Sequence, residues 1–191
     1  MTTLPQERDR DRFHRRLRGG GSCPGRHSLT DIVHSWLGSF VGILAVTVPA
    51  HLLHLGSSAT IGLIGSFGAS AVLVYALPQA DLAQPRNVIG GHVISAAIGV
   101  TSYQLLHRHP SVDAAAAVAS AIAAMHLTRT LHPPGGATAL IAVTGGPSIH
   151  QLGYGYVLAP TGTGAAILVL VALVVNNTTS RPHRHYPHYW W

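Results

Sequence analysis

Five long apolar runs separated by short polar segments dominate the chain. They cover residues 35–53, 59–77, 88–106, 114–131 and 154–175, and Arg129 is the only formally charged residue inside them. A helix needs about 20 apolar residues to cross the hydrocarbon core of a bilayer. The pattern therefore predicts an all-α, polytopic transmembrane helix bundle with about five spans.

One segment, residues 132–153, lies between the fourth and fifth runs and does not fit this pattern. Pro133 and Pro134 must end or sharply turn the preceding helix, because each ring removes a backbone donor. The apolar stretch 137–143 that follows is too short to cross as a helix, and Gly145-Gly146-Pro147 ends it. We predict a broken or re-entrant segment, which needs protein or a cavity around it at membrane depth; the alternative is a loop lying in the interface.

Composition supports a membrane protein and excludes an ordinary soluble enzyme. Of the 191 residues 47% are hydrophobic and only 9% are charged, whereas soluble domains carry about 25% charged residues. A globule with so few charges would present a large apolar surface to water. The lone cysteine, Cys23, allows no intrachain disulfide and no cysteine-based zinc site.

The distribution of charged and apolar residues predicts three regions. They are a basic, mostly disordered cytoplasmic tail at 1–34, a transmembrane domain at 35–177 and a tail rich in His and aromatic residues at 178–191. All twelve basic residues are Arg, and seven of them fall within 8–26. Without interleaved aromatic residues, such a tail favours anionic lipid over nucleic acid. The same bias predicts a multi-pass protein of the cell inner (plasma) membrane with a cytoplasmic N-terminus.

The side of the C-terminal tail depends on how the irregular segment runs. Five full spans place Arg181 and Arg184 on the side opposite the N-terminus. If residues 132–153 also cross as a broken pair, both termini lie on one side. We take five spans and a re-entrant segment as the leading hypothesis.

Arg129 is the sharpest candidate for a functional residue, since ionisable groups within spans are costly and are functional candidates by default. It lies beside the Pro-Pro break, with His126 and Thr130 on much the same helix face and His132 nearby. An inward-facing Arg129 would attract an anionic solute. The alternative is an Arg at a helix end that reaches toward the lipid headgroups.

A second candidate group precedes the third run and comprises Arg86, Asn87, Gly90, Gly91 and His92. Asn87 suits the N-cap of the third helix. The first amides of that helix, together with Arg86 and His92, predict a seat for an anion, and the glycine pair allows a solute or a helix to approach closely. The alternative is an ordinary capped helix with a cytoplasmic Arg.

A second helix N-terminus is expected just after Pro133 and Pro134, at Gly135, Gly136 and Thr138. Two such ends near the midplane would form a polar site without a carboxylate. A cation pump would normally place an Asp or Glu in a span, whereas the acids of the apolar block lie in loops. The site therefore favours an anion.

The fourteen histidines do not form a recognisable metal motif on any predicted span. His51, His92 and His126 lie on different helices, so haem ligation by two of them stays open as an alternative. No catalytic triad, phosphate loop or dinucleotide fingerprint occurs. We predict no metal, no cofactor and no enzymatic activity.

Several motifs in one order make the chain resemble the HPP family of small integral membrane proteins. These are HPPGGATAL at 132–140, GSFGAS at 65–70, QPRNVIGGH at 84–92, and Asn176-Asn177 followed by Tyr186-Pro187. The resemblance covers roughly residues 30–190. It implies a multi-spanning protein with four or more helices and a transport role, and family members in chloroplasts and cyanobacteria are associated with nitrite.

Together, residues and resemblance predict a transporter or channel for a small monovalent inorganic anion, with nitrite as the favoured substrate. Small-residue stripes at Gly38/Gly42 and Gly62/Gly65 predict a homo-oligomer. The alternatives are a membrane redox protein that carries haem or metal, and a structural or regulatory membrane protein that binds a partner through its tails.

Overall fold

A computed structural model describes residues 21–52, 65–106 and 109–191, and within these ranges it contains helices and no strands. This confirms the predicted all-α bundle. The helices are α1 Leu29–Leu52, α2 Gly65–Ala76, α3 Pro85–Leu106, α4 Pro110–Thr128, α5 Pro133–Thr144, α6 Pro147–His150 and α7 Val157–Asn177. Of these described helices, α1, α3, α4 and α7 are long and apolar enough to cross a membrane, and α2 is a shorter apolar helix.

Proline and chain reversal set the helix boundaries. Prolines occupy the first turns of α4 and α5, where the missing N–H costs no helical hydrogen bond. Helix α4 ends at Arg129, whose left-handed backbone (φ 56°) turns the chain into α5. Helix α7 is interrupted near its start by the non-helical Ala159 before Pro160.

The two ends of the bundle are identified by contacts between distant segments. At the near end, Asp31 at the start of α1 forms an ion pair with Arg181, just after α7 (N–O 3.1 Å). At the far end, Tyr154 shares a 2.8 Å hydrogen bond with Thr101 near the end of α3. The first helix therefore begins, and the last helix ends, on the same side of the bundle.

The irregular segment runs the length of the bundle. Helix α5 starts at the near end, where the Leu131 carbonyl accepts a hydrogen bond from Asn87 in the first turn of α3 (2.9 Å). Helix α6 lies at the far end, where His150 stacks on Tyr103 with ring centroids 3.6 Å apart. The broken form of the prediction is thus the observed one.

This passage corrects the expected position of the C-terminal tail. Because the chain crosses once more through α5 and α6, Arg181 and Arg184 lie at the same end as α1's first turn, not opposite to it. The count of passes between those points is even. A twelve-residue helix such as α5 is only about 18 Å long, so α5 and α6 together make the crossing.

Helix α3 lies at the centre, packed against α4, α5 and α7, while α1 packs on α7 and the end of α2. Close approach depends on small residues. A Cβ at Gly99 would lie 2.7 Å from the Ala139 carbonyl oxygen, and Gly38 and Gly42 face the ring of Tyr75. The Gly38/Gly42 stripe therefore packs within the chain, so the homo-oligomer stays a prediction without that support; Gly62 lies outside the described residues.

The helices form two halves with opposite directions. Helices α1, α2 and α3 form the first half, and α4, α5 and α7 the second; α1 starts at the near end and α4 at the far end. The short helices share a motif, GASA at 68–71 in α2 and GATA at 136–139 in α5. Their buried and exposed positions follow the same order over residues 66–75 and 134–143, apart from one position. We call this arrangement of two halves with opposite directions and a shared motif an inverted repeat.

Candidate functional site

Four polar side chains form a continuous hydrogen-bonded assembly in the interior of the apolar bundle. His92 in α3 contacts the Ser70 hydroxyl through Nε2 (2.7 Å) and the Thr138 hydroxyl through Nδ1 (2.7 Å). The Ser70 oxygen also lies 2.8 Å from Nε2 of His132, whose Nδ1 lies 2.7 Å from the Leu82 carbonyl oxygen. All four polar residues are 0% exposed. We call Ser70, His92, His132 and Thr138 the central network.

Small residues let the network close. A Cβ at Gly91 would lie 2.6 Å from the Cβ of His132, and one at Gly135 would lie 2.7 Å from the Ser95 hydroxyl. Helices α3 and α5 therefore approach each other through glycine, which brings His92 and Thr138 into contact. The Gly90–Gly91 pair, predicted to admit a solute or a helix, admits the chain between α4 and α5.

The inverted repeat explains why two hydroxyls meet on one ring. Ser70 and Thr138 occupy the same position of the shared motif in α2 and α5. Each of them contacts one nitrogen of His92. The network thus lies where the two halves of the bundle meet.

Arg129 and His126, the sharpest candidates in the sequence, are exposed and make no contact with the central network. The left-handed conformation of Arg129 turns its backbone at the end of α4. His126 lies in an apolar surface groove between α4 and α5 that Pro133, Gly136 and Leu140 also line. Arg129 therefore does not face inward in this arrangement.

Arg86 and Asn87 connect helix ends at the near end of the bundle. The guanidinium of the half-buried Arg86 donates to the Thr128 carbonyl at the end of α4 (2.9 Å). Asn87 lies within the first turn of α3, which begins at Pro85, so the predicted N-cap role is wrong. Its amide donates to Leu131 instead.

The N-terminus of α5 does not offer the expected set of amides. Pro133 and Pro134 carry no N–H, and the Gly135 N–H donates to the His132 carbonyl (2.8 Å). The first three positions of α5 therefore have no amide left for an anion. Gly136 is half-buried beside Val118, and Thr138 points its hydroxyl at His92.

A second polar assembly, formed by Asp31, Arg181, His183 and Arg184, closes the near end; we call it the near-end cluster. Arg184 is 2% exposed and donates to the Tyr75 carbonyl (2.9 Å). It also donates to the Asn176 amide oxygen (3.0 Å). Burial lowers the pKa of its guanidinium, although an Arg remains charged in proteins.

The segment after α7 also contacts the loop before α3, whose Leu82 carbonyl is the hydrogen-bond partner of His132. Buried Tyr186 donates its hydroxyl to Ala83 (2.9 Å), and the backbone N–H of His188 donates to the side chain of Gln84 (2.8 Å). Burial raises the pKa of Tyr186, so this hydroxyl keeps its proton. Residues 178–191, expected as a separate tail, pack onto the bundle and cover the near-end side of the network.

The histidines proposed as haem ligands are not assembled. His92 engages both ring nitrogens with hydroxyls, His126 is exposed, and the side chain of His51 lies outside the described residues. Within the described ranges, no three residues of the types His, Cys, Asp and Glu lie together in a way that could hold a metal ion.

Comparison with known proteins places this arrangement in a family. The model of the HPP transmembrane region matches residues 24–187. The chain belongs to the HPP transmembrane family. In this HPP protein, the His-Pro-Pro segment supplies one ring of the central network and the start of α5.

Two curated relatives of this HPP protein are transmembrane proteins of Dictyostelium discoideum. One is 40% identical over 182 residues, which cover 94% of this chain and 57% of the relative. The other is 42% identical over 176 residues, which cover 91% of this chain and 60% of the relative. The chain thus spans less than two thirds of their length. No solved structure matches.

Sequence reasoning assigned no role to Ser70, Arg184, Tyr75 or Asn176, although the motifs of the HPP resemblance include Ser70 and Asn176. For Ser70 there was a signal, since the GASA and GATA motifs place it where Thr138 stands in the other half. For Arg184 there was none, because its partners lie far away in the chain or on another helix. The HPP motif itself pointed correctly to two members of the network.

Proposed function

We propose that this HPP protein transports a small monovalent anion across a membrane, with nitrite as the favoured substrate. The observation that carries the proposal is the fully buried central network inside an apolar bundle. Polar groups at such a place are costly in a membrane and mark ion and solute pathways. A bundle with a purely structural role would avoid this cost with apolar side chains at these positions.

The inverted repeat supports transport over a static role. Many secondary transporters are built from inverted repeats, with short or broken helices that meet at a site between the halves. Here α2 and α5 are the short helices, and Ser70 and Thr138 are their equivalent contributions to one site. The two halves could then move relative to each other around His92.

The charges favour an anion. Among the described residues the acids are Asp31, Asp81 and Asp113, and none of them bonds to the central network. Arg86 and Arg129 lie at the near end, where their positive potential would raise the local concentration of anions. Nitrite is chosen because the HPP resemblance associates family members with it.

The remaining expectations follow from this role as proposals. The near end, with the Arg-rich segment before α1, would face the cytoplasm of a plasma membrane under the positive-inside rule. The protein would act without a cofactor and without catalysing a reaction. It would work in the bilayer as a homo-oligomer, with inorganic anions and lipid, but no nucleic acid, as partners.

Nitrite uptake into vesicles that contain the purified protein tests the proposal. We expect wild-type vesicles to take up nitrite faster than empty vesicles, and His92→Gln to remove the difference. His150→Gln is the matched control, because His150 lies at the far end with its Nε2 on the Val143 carbonyl (3.0 Å). Wild-type uptake equal to that of empty vesicles would exclude the proposed function.

A further inference from the structure

The hydrogen bonds of the central network have one defined direction when both rings are neutral. The Leu82 carbonyl can only accept, so Nδ1 of His132 carries the proton. Nε2 of His132 then lacks a proton and accepts one hydrogen bond, from the Ser70 hydroxyl. Because a hydroxyl has one proton, the Ser70 oxygen must accept from Nε2–H of His92.

The last bond follows in the same way. With its proton on Nε2, neutral His92 accepts at Nδ1 from the Thr138 hydroxyl. The network is therefore a chain of donors that runs from Thr138 through His92 and Ser70 to His132 and ends on Leu82. No alternative direction satisfies all four contacts, because the last acceptor is a carbonyl.

Both hydroxyls have a second acceptor, which allows the chain to reverse. The Ser66 carbonyl lies 3.1 Å from the Ser70 oxygen, and the Pro134 carbonyl lies 3.4 Å from the Thr138 oxygen. Suppose that one proton binds to the Thr138 hydroxyl. The proton that Thr138 carried before then moves to Nδ1 of His92. The Nε2 proton of His92 moves to Ser70, and that of Ser70 moves to Nε2 of His132.

The result is one added proton and one positive charge. His132 then donates from both nitrogens, to Leu82 and to Ser70, while His92 stays neutral with its proton on Nδ1. The Thr138 hydroxyl carries the entering proton and turns toward Pro134. Each of these steps transfers a proton along an existing contact of 2.7–2.8 Å, so the relay needs no rearrangement of helices.

No described acid is placed to neutralise that charge. Around the two rings, α2 contributes Phe67 and the loop before α3 contributes the exposed Asp81. Tyr156, just before α7, donates its hydroxyl to the Thr138 carbonyl (3.2 Å). Arg86 and Arg129 at the near end are cations. A buried ion without a partner costs several kcal/mol, and a bound anion is the partner that the site lacks.

From this we infer that the His92–Ser70–His132 relay binds one proton together with each transported anion, so that transport is electroneutral proton–anion symport. The inference rests on the proposed function and assigns its coupling ion and the residues that carry it. Proton and anion binding are then mutually dependent. Each favours the other because the pair is neutral, whereas either ion alone leaves an uncompensated charge.

Vesicle experiments separate this inference from the proposed function. Exchange of isotope-labelled nitrite at equal pH on both sides tests transport itself, and its absence overturns the function. If exchange occurs, an inward proton gradient should raise the protein-dependent initial uptake of nitrite. At full one-to-one coupling, the limiting ratio of nitrite inside to outside should change about tenfold per pH unit. A potassium–valinomycin potential should leave it unchanged. Uptake that follows the potential and ignores the proton gradient overturns the inference.

Variants on α5 test the relay residue by residue. Thr138→Val should lower the response to the proton gradient at least tenfold, and Thr138→Ser should restore it. Thr144→Val is the matched control, because Thr144 is exposed on the same helix and donates to Leu140 (3.0 Å). An unchanged response in folded Thr138→Val would overturn the relay.

Nitrogen-15 spectra of the histidine rings in lipid discs give a readout independent of flux. At about pH 8 without nitrite, His132 should carry its proton on Nδ1 and His92 on Nε2. With nitrite at about pH 6, within the histidine range, His132 should become doubly protonated and His92 should change tautomer. Spectra of His92→Gln and His132→Gln assign the signals, and an unchanged His92 tautomer would contradict the inference.

Discussion

The central network and the near-end cluster are both polar, but they differ in charge and in exposure to solvent. The network consists of neutral rings and hydroxyls, and each of its hydrogen bonds has a donor and an acceptor. The cluster contains formal charges, and two of its members are partly open to solvent: the side chains of Arg181 and His183 are 36% and 59% exposed.

The difference shows where this bundle tolerates charge. The permanent charges of the near-end cluster lie at one end of the bundle, where water can compensate the more exposed of them. The interior holds groups that are neutral at rest and gain charge only by taking up a proton. We therefore expect changes in the network to affect transport first and changes in the cluster to affect stability first.

Loss of a network ring should have the largest effect. His132→Leu removes the acceptor for Ser70 and the donor to Leu82, which breaks the relay at its end. We expect nitrite uptake per folded protein to fall roughly 100-fold, equivalent to about 2.7 kcal/mol in activation free energy. His150→Leu is the control in the same uptake assay, and equal rates for both variants would remove the contrast between the two regions.

Loss of the buried Arg in the cluster should affect stability. Arg184→Ala leaves the Asn176 amide oxygen without this donor and leaves the Tyr75 carbonyl with the Ser35 hydroxyl (3.0 Å). The loss should cost about 2–4 kcal/mol in the free energy of unfolding. A thermal scan should show the Tm lowered by roughly 5–15 °C. Arg26→Ala, at an exposed site, should leave it unchanged.

Uptake per folded Arg184→Ala protein, measured below its Tm, should stay within about twofold of the wild type, since a twofold rate corresponds to only about 0.4 kcal/mol. A loss as large as that of His132→Leu would place Arg184 in the transport pathway and contradict the division.

The exposed part of the cluster should contribute less. Asp31→Asn weakens the contacts to Arg181 and His183, which we expect to lower the stability less than the loss of Arg184 does, because exposed ion pairs contribute little. The Tm difference from the wild type should shrink at high salt, because salt screens exposed charges. A difference that is independent of salt would show that these contacts act as neutral hydrogen bonds.

The smallest effect is expected at Arg129, which the sequence ranked first. Its left-handed backbone favours glycine, so Arg129→Gly should raise stability by about 1 kcal/mol or less. Uptake should change less than about threefold, as expected for a charge that only attracts anions from outside. If uptake by Arg129→Gly fell to the level of empty vesicles, Arg129 would belong to the transport site and the account would be contradicted.

The sequence predicted the bundle well because spans are long and apolar, and that pattern is local. It also identified His92, His132 and Thr138, since polar residues stand out in apolar runs and the motifs of the HPP resemblance include all three. It misplaced Arg129, because the backbone reversal that turns it outward depends on how α4 meets α5.

Contacts between distant segments could not be predicted in the same way. Arg184 follows a proline in a polar segment, and such a sequence is typical of a solvent-exposed tail. Only the packing of the helices brings the Tyr75 carbonyl beside it. Ser70 was hidden for a different reason. A serine in a small-residue stripe fits helix packing equally well, and only the inverted repeat gives it the same role as Thr138.

The most direct test of the account compares two buried serines in one uptake measurement. Ser70 bridges the two histidines, whereas the hydroxyl of the equally buried Ser95 donates to the sulfur of Met125 (3.5 Å). Nitrite uptake per folded protein should fall to the level of empty vesicles in Ser70→Ala and stay near the wild type in Ser95→Ala. Equal uptake by the two variants would contradict a transport role for the central network.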